Sequence, residues 1–322
     1  LIEALNDQID AEVRAYLAPA HNAVESLAAA IPDQPLSADG EVLFERIAIA
    51  LLQRSGEIAS AYLGTPSGGF LMVTRNDRGT FDTKRIDWTE QGPNTVWTRR
   101  DEHGDVVARE PDPADRYDPR TREWFHAARQ ATGVAWSPVY IFFTTKKPGI
   151  TASRLARRGD AEAAVVGVDI NLEALSGFLA TLQKRGREAL VIVDGEGGVV
   201  AFHDPERVMK ETESGPRPRT IRELGQPELA EAFDRLRVEG SGRSTVFIDN
   251  ENWVFGAASL KNVVGRDWWL MLLAPESDYA GFVAANGRRG FIASSGIIVL
   301  SILLAGLLAY QGLVADRHER AV

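Results

Sequence analysis

The chain has 322 residues, which is enough for two modest hydrophobic cores. Its net charge of −9 at pH 7 argues against a nucleic-acid surface, because phosphate binding needs clustered lysine and arginine. It contains no cysteine, which excludes disulfide bonds and thiolate metal sites. The first residue is leucine rather than methionine, so we expect a further segment upstream.

The first 31 residues carry one apolar stripe at spacings of three and four, typical of an amphipathic helix of about eight turns. Pro19 lies within this helix and is expected to kink it. A second helix is predicted for residues 38–54, with Leu43, Ile47 and Leu51 on its apolar face. Two interpretations of the long first helix remain open: it packs on a core, or it forms a stalk between two subunits.

From residue 57 the apolar residues recur with period two, which predicts β-strands. IASAYLG and FLMVTRN flank a Pro- and Gly-rich turn, and TVWTRRD and DVVAREP flank His103-Gly104, so each pair is typical of a β-hairpin. A Pro- and Asp-rich loop and a short helix over residues 124–130 follow. VYIFFTT, GITASRLA and AAVVGVDI are then expected to form strands, the last of which carries Asp169.

The second half of the chain repeats this pattern on a smaller scale. A helix is predicted for residues 172–184, followed by strand pairs around the turns at residues 195–198 and 250–252. DWWLMLLAP is expected to be the last buried strand. Segregated helices and antiparallel hairpins indicate the α+β class rather than a parallel-sheet fold.

Residues 291–315 form a run of 25 residues without a charged side chain, FIASSGIIVLSILLAGLLAYQGLVA. As a helix this run measures about 37 Å, enough to cross a hydrocarbon core of about 30 Å. A buried core helix is the alternative, but such helices rarely run this long without a charge. Arginines flank both ends, so the charge pattern does not set the orientation. We expect one transmembrane helix, with any output domain after residue 322.

These patterns divide the chain into six predicted parts. They are an N-terminal stalk helix (1–35), a membrane-distal module (36–172), a membrane-proximal module (173–275), a juxtamembrane helix (276–290), a transmembrane helix (291–315) and the start of a cytoplasmic region (316–322).

The stretch YDPRTREWFHAARQATGVAWSPVYIFF, followed by VVGVDI, resembles the membrane-distal module of double Cache sensor domains. These are extracellular ligand-binding domains of bacterial chemoreceptors, histidine kinases and nucleotide cyclases. The resemblance covers the layout of residues 1–289. It implies a long N-terminal helix, two PAS-like antiparallel-sheet modules and a ligand pocket in the first module.

The amino-acid-binding branch of that family grips the ligand carboxylate with Tyr, Arg and Trp side chains, which Tyr117, Arg122 and Trp124 match in this sequence. A later Tyr-x-Asp and a final Asp hold the ammonium group of the ligand in that branch. Tyr140 and Asp169 match two of those three positions. The resemblance therefore implies that the carboxylate-binding half is complete.

Two residues depart from the pattern of that branch. Phe125 stands where a second Tyr is usual, and Phe142 replaces the Asp of Tyr-x-Asp. The ligand-binding residues implied by the resemblance are Tyr117, Arg122, Trp124, Phe125, Tyr140, Phe142 and Asp169.

The chemistry of these side chains suggests a ligand class. Arg122 offers a planar guanidinium that can bind a carboxylate through two charge-assisted hydrogen bonds. Tyr140 and Phe142 lie two residues apart on a predicted strand, so both are expected to face one side. Loss of one charged acceptor should weaken ammonium binding by a few kcal/mol. We therefore predict a small carboxylate ligand without an obligatory α-amino group, or weak binding of amino acids.

A purely structural interpretation remains open, in which Arg122 pairs with Asp169 and the aromatic residues are core. The five histidines lie far apart in the sequence and show no metal-ligand spacing. We find no cluster of acid, base or nucleophile. The sequence therefore predicts no catalytic residues, no cofactor and no enzyme activity in this region.

The layout predicts the extracytoplasmic, small-molecule-sensing region of a homodimeric receptor in the bacterial inner membrane, signalling through the membrane helix. A ligand-free dimerisation module of such a receptor is the alternative, and a membrane-anchored enzyme is a third class. The stretch YIFFTTKKPGIT resembles sensor halves fused to class III nucleotide cyclases. A histidine kinase, a diguanylate cyclase and a chemoreceptor remain open as outputs.

Overall fold

The computed structural model describes residues 2–278 except residues 77, 184–186, 214, 241 and 249. The predicted transmembrane helix (291–315), residues 316–322 and all but the first three residues of the predicted juxtamembrane helix (276–290) lie outside the described residues. Among the helices that are described, none combines the length and the hydropathy that a membrane span requires.

The first part of the described chain contains three helices and a large antiparallel sheet. Its elements are α1 (Ile2–Ala30), α2 (Ala38–Arg54), β1 (Ile58–Gly64), β2 (Phe70–Arg75), β3 (Phe81–Thr89), β4 (Gly92–Arg100), β5 (Val106–Pro111), a 3₁₀ turn (Pro119–Thr121), α3 (Glu123–Gln130), β6 (Ala135–Trp136), β7 (Tyr140–Ile141), β8 (Pro148–Arg158) and β9 (Ala161–Asn171).

The second part is smaller. Its elements are α4 (Leu172–Leu182), β10 (Ala189–Asp194), β11 (Val199–Phe202), a 3₁₀ turn (Pro205–Arg207), β12 (Met209–Lys210), β13 (Arg217–Pro218), a 3₁₀ turn (Ile221–Leu224), α5 (Pro227–Glu239), β14 (Gly242–Ile248), β15 (Glu251–Ser259), α6 (Lys261–Val264) and β16 (Trp268–Pro275).

Two main antiparallel sheets organise the fold. The first has the strand order β5-β4-β3-β2-β1-β9-β8-β6, with β7 also paired to β8, and the second has the order β11-β10-β16-β15-β14. The α+β class and the long N-terminal helix are confirmed. The division into a distal and a proximal module, with the boundaries given above, stays a prediction.

Both N-terminal helices bury one apolar face. The stripe of α1 is buried from Ile9 to Leu27, and the helix packs against β8 and β9 of the first sheet and β15 of the second. Helix α2 starts at the N-cap Ser37, whose hydroxyl accepts a hydrogen bond from the Gly40 N–H. Its buried face lies one residue later than predicted: Phe44 is buried, whereas Leu43 is 42% exposed.

The strand pattern differs from the prediction at two places that matter for the site. Strand β3 lies between the two predicted hairpins and was not predicted. The predicted strand VYIFFTT is wrong beyond Ile141, because the Phe142 N–H donates to the Lys147 carbonyl and the Lys146 N–H donates back to the Phe142 carbonyl. Residues 142–147 therefore form a turn between β7 and β8.

The two sheets meet through α1, through α4, which packs against β8 and β9 of the first sheet and β10 and β11 of the second, and through an aromatic contact. The Arg14 guanidinium of α1 donates to the Ser259 carbonyl at 2.7 Å. The rings of Trp136 in β6 and Trp268 in β16 pack edge to face with their centroids 6.5 Å apart. The Arg266 guanidinium donates to the Trp136 carbonyl at 3.1 Å. The edge of the first sheet thus rests directly on the second.

Candidate functional site

A cavity lies on the face of the first sheet that points away from α1, under α3 and the turn at residues 142–147. Its free volume is about 30 Å³, room for a water molecule and far below the range of about 300–1,000 Å³ usual for ligand sites, so a small molecule can enter only if the walls move apart. The lining residues are Ser60, Tyr62, Phe70, Met72, Tyr117, Arg122, Trp124, Tyr140, Phe142, Phe143, Thr144, Thr145 and Asp169.

Asp169 of β9 sits on the floor of this cavity between the strands that flank it. Ser60 of β1 and Thr151 of β8 are its cross-strand neighbours. Their hydroxyls donate to Asp169 Oδ2 at 2.7 Å and to Oδ1 at 2.6 Å, and the Tyr62 hydroxyl donates to Oδ1 at 2.6 Å. The carboxylate is therefore held by three hydroxyl groups rather than by Arg122.

Burial controls the charge of Asp169. Loss of hydration raises the pKa of Asp169 from 3.8 to about 6, although the hydrogen bonds from Thr151, Tyr62 and Ser60 act in the opposite direction. Burial also raises the pKa values of Tyr62, Tyr117 and Tyr140 above the ordinary value for a phenol. All three tyrosines are neutral at pH 7 and donate or accept hydrogen bonds as hydroxyls.

A glycine makes room for the Tyr62 ring beneath the cavity. Gly167 is paired with Tyr62 across β1 and β9, and a Cβ atom at this position would lie only 2.2 Å from Tyr62 Cε2. The predicted alternation in AVVGVDI, with Gly167 and Asp169 on one face, is confirmed. Because of this alternation, Gly167 leaves room for the Tyr62 ring and Asp169 presents its carboxylate on the same face of β9.

Arg122 occupies the residue before α3, where its extended backbone leaves the side chain free of the helix. The guanidinium carbon lies 4.9 Å from the centroid of the Tyr117 ring and 4.8 Å from that of Phe143, which are cation–π distances. Arg122 Nε is buried and has no hydrogen-bond partner among the described residues. The Tyr117 and Phe143 rings thus hold the Arg122 guanidinium in place, while its Nε–H is free to donate to an acceptor on a ligand.

The aromatic walls are built around Trp124, which is 1% exposed. Its ring packs edge to face on Tyr62 at 4.8 Å, and its indole N–H donates to the Tyr117 hydroxyl at 3.3 Å. Phe125 is buried next to Trp124, at 5.6 Å between centroids, and is not one of the lining residues. The geometry therefore places Phe125 behind the cavity wall, which differs from the role that the resemblance implied.

Tyr140 and Phe142 both line the cavity, although the strand that was expected to align them ends at Ile141. The Tyr140 hydroxyl is hydrogen-bonded to Thr151 Oγ1 at 2.7 Å, and the two rings pack edge to face at 5.3 Å. Phe142 fits because residue 149 is a glycine: a Cβ there would lie 1.9 Å from Phe142 Cζ. The turn, rather than strand alternation, aims Phe142 inward.

Sequence reasoning missed part of the site. Ser60 and Tyr62 lie two residues apart in IASAYLG, so their shared polar face was a detectable signal. Phe143, Thr144 and Thr145 line the cavity only because the chain turns after Ile141. The apolar run VYIFF predicts a continuous strand there and gives no sign of the turn. Among the described residues, no group of three His, Asp or Glu side chains is placed to hold a metal ion.

Comparison with curated proteins gives distant relatives, and no family model matches the sequence. The chain is 25% identical over 306 residues to adenylate cyclase 1 of Rhizobium meliloti, covering 90% of this chain and 46% of that protein. It is 25% identical over 196 residues to the methyl-accepting chemotaxis protein PctB of Pseudomonas aeruginosa, covering 61% of this chain and 28% of that protein. The chain therefore spans less than half the length of these relatives.

Several solved structures share the fold. The ligand-binding domain of PctB in complex with L-Gln matches with a TM-score of 0.55 at 19% identity, over 91% of this chain and 97% of that domain. The ligand-binding domain of the Pseudomonas fluorescens chemoreceptor CtaA in complex with L-leucine matches with a TM-score of 0.53 at 17% identity, over 86% and 97%. The sensory domain of the Campylobacter jejuni chemoreceptor Tlp3 gives 0.55 at 14%, over 85% and 94%.

Proposed function

The chain has the fold of the double Cache ligand-binding domains of bacterial chemoreceptors, and we propose that it is the extracytoplasmic sensing region of a transmembrane receptor. The resemblance found in the sequence is confirmed at the level of the fold. A non-enzymatic role for this region is consistent with the structural matches, which are ligand-binding domains. Output through a nucleotide cyclase is supported by the match to adenylate cyclase 1.

The proposed ligand is a small carboxylate that binds in the cavity against Arg122. The observation that carries this proposal is the buried Arg122 Nε, which has no hydrogen-bond partner among the described residues and belongs to the lining of the cavity. The ligand would bind by moving the aromatic walls of this small cavity apart. A carboxylate is the acceptor that a guanidinium matches best, through two parallel hydrogen bonds. Phe70, Met72 and Trp124 would bury the apolar part of the ligand.

An α-amino group is not required by this site. A carboxylate has about four acceptor positions, and three on Asp169 are occupied by the hydroxyls of Ser60, Tyr62 and Thr151. Phe142 supplies no acceptor at the position where the amino-acid-binding branch has an Asp. An ammonium group would therefore gain less here than in a site with two free carboxylates, and we expect acids to bind at least as well as the matching amino acids.

A packed route leads from the cavity floor to the second sheet. The Thr151 N–H donates to Ser137 Oγ at 2.9 Å, and the neighbouring Trp136 contacts Trp268 of the second sheet. We propose that ligand binding changes the position of this edge. Helix α1 and the second sheet would transmit that displacement to the predicted membrane helix (291–315). The receptor would act as a homodimer in the bacterial inner membrane. The ligand can shift this equilibrium only by its differential affinity for the two states.

Thermal-shift measurements on the chain in detergent test the proposal. The panel pairs each acid with its amino acid, for example 4-methylpentanoate with L-leucine and propionate with L-alanine. A ligand at 100 times its dissociation constant adds about 2.7 kcal/mol of stability, which is visible as a rise in Tm.

Two arginine variants place the binding site. Arg122→Ala should abolish the shift, whereas Arg129→Ala, which removes an exposed arginine of α3 that pairs with Glu162, should retain it. A panel without any shift would favour a ligand-free dimerisation module, and a shift that survives in Arg122→Ala would move the site elsewhere.

A further inference from the structure

Strand β3 carries a buried positive charge beside the cavity, on the same face of the sheet, where Lys84 is the cross-strand partner of the lining residue Met72. Lys84 is 1% exposed, and its ammonium forms a salt bridge with Asp115. Burial lowers the pKa of Lys84, and the hydrogen bond and charge of Asp115 act in the opposite direction. A charge this deeply buried is tolerated only with a close partner, so Lys84 and Asp115 have to stay together in the folded protein.

Asp115 connects Lys84 to the first of two irregular segments that wall the cavity. It lies in the loop at residues 112–118, and its Oδ1 accepts a hydrogen bond from the Tyr117 N–H at 2.8 Å. The Tyr117 ring lines the cavity, and its hydroxyl accepts from the indole of Trp124. The position of the buried pair therefore fixes where the Tyr117 ring stands.

Lys84 also contacts the second irregular segment, the turn at residues 142–147. Its ammonium lies 3.5 Å from Thr144 Oγ1 and 5.6 Å from the centroid of the Phe143 ring. The distance from the ammonium to the Tyr117 centroid is 5.2 Å. One side chain on a regular strand thus touches both segments that close the cavity.

The same two rings hold the cation that we propose as the ligand anchor. Tyr117 and Phe143 each contact the Lys84 ammonium and the Arg122 guanidinium. Asp115 neutralises Lys84, whereas Arg122 Nε has no partner in the described structure. Any displacement of the rings would therefore displace the Arg122 donor that stays open for a ligand.

We propose that Lys84 is a positioning residue of the ligand cavity, which ties the 112–118 loop and the 142–147 turn to one point on β3 and so sets the spacing of the two walls around Arg122. This inference rests on the proposed function for the identity of the ligand site. The mechanical link between the two segments can be tested without any ligand.

Hydrogen–deuterium exchange of the chain in detergent tests the link. In Lys84→Met and in Asp115→Asn, we expect amide exchange to rise by about tenfold in both segments at once. Arg100→Met is the matched control: Arg100 is also buried and paired, with Glu45, and its contacts are to Phe81 and Thr83 rather than to either segment. It should leave both segments unchanged.

Unchanged exchange in the 142–147 turn of both test variants would overturn the proposal, because the turn would then be held by the direct contact between the Phe143 and Tyr117 rings, whose centroids lie 5.2 Å apart, rather than by Lys84. Asp115→Asn keeps the size of the side chain and an acceptor for the Tyr117 N–H, so it decides the question if Lys84→Met fails to fold.

Affinity for 4-methylpentanoate, measured below the Tm of every variant, provides the second readout. Lys84→Met should weaken binding by about tenfold, and Arg100→Met should leave it unchanged although both lower the Tm. Equal affinity of Lys84→Met and the unmodified chain would overturn the positioning role while leaving the proposed function intact. If the unmodified chain does not bind this acid, the proposed function is weakened, and the exchange experiment still decides whether Lys84 links the two segments.

Discussion

Replacing Asp169 with asparagine should stabilise the protein at neutral pH, which is the reverse of the usual result for a buried hydrogen-bonded carboxylate. Asp169 is 6% exposed, and burial raises its pKa from 3.8 to about 6. Between these two values the folded state binds a proton that the unfolded state has lost. The free energy of unfolding therefore falls as pH rises through this window.

The size of the effect follows from the two pKa values. A difference of about two units corresponds to about 3 kcal/mol, lost between pH 4 and pH 7. Asparagine removes the titration, and its amide can keep all three contacts: the oxygen accepts from Tyr62 and Thr151, and the NH₂ donates to Ser60 Oγ. Asp169→Asn should match the unmodified protein below pH 4 and exceed it by up to about 3 kcal/mol at pH 7.

Urea unfolding of both proteins between pH 3.5 and pH 8 measures this difference. Asp82→Asn serves as a control of opposite sign: despite its burial, hydrogen bonds from Asn76, from the Arg100 N–H and from Arg99 hold the pKa of Asp82 below 3.8. Its stabilising effect is present above pH 3.8 and lost at lower pH, so Asp82→Asn should destabilise at pH 7. A stability difference for Asp169→Asn that does not change with pH would show that burial does not raise the pKa of Asp169.

Three further substitutions test separate parts of the account. Gly167→Ala should displace the Tyr62 ring, lower the free energy of unfolding by about 1–3 kcal/mol and weaken ligand binding, as seen by chemical unfolding and calorimetry. Phe142→Asp should raise the affinity for L-leucine relative to 4-methylpentanoate by about tenfold in the same calorimetric assay, because it restores an ammonium acceptor. Trp268→Ala should destabilise the chain by about 3–5 kcal/mol in urea unfolding and leave acid binding measurable, because Trp268 lies outside the cavity. An unchanged preference in Phe142→Asp would contradict the proposed ligand orientation.

The elements that could be predicted from the sequence are those whose signals are local. The bounds of α2 and the first hairpin follow from the Ser37 cap, the apolar periodicity and the turn residues, all of which act within a few positions. The alternation around Asp169 places it on one face of β9 without knowledge of the neighbouring strands. Arg122 and Tyr117 were predicted as site residues only from the resemblance to double Cache domains, because no local sequence pattern indicates their role.

The features that could not be predicted depend on partners distant in sequence. Strand β3 buries two charged residues, Asp82 and Lys84, which the sequence alone would place on the surface. Their burial depends on ion pairs with residues distant in sequence: Asp82 pairs with Arg99, and Lys84 pairs with Asp115. The turn after Ile141 carries no glycine; instead Lys146 adopts a left-handed conformation with φ of 58°, so nothing in the residue types marks the end of the strand. Tertiary pairing in the first case and an unusual backbone conformation in the second override the local pattern.

Carboxylate binding at Arg122 can be observed by an NMR titration with 4-methylpentanoate labelled with ¹³C at its carboxyl carbon. We expect a saturable shift of the labelled carbon with the unmodified chain and with Arg129→Ala, and no shift with Arg122→Ala. A saturable shift that persists in Arg122→Ala would contradict carboxylate binding at Arg122.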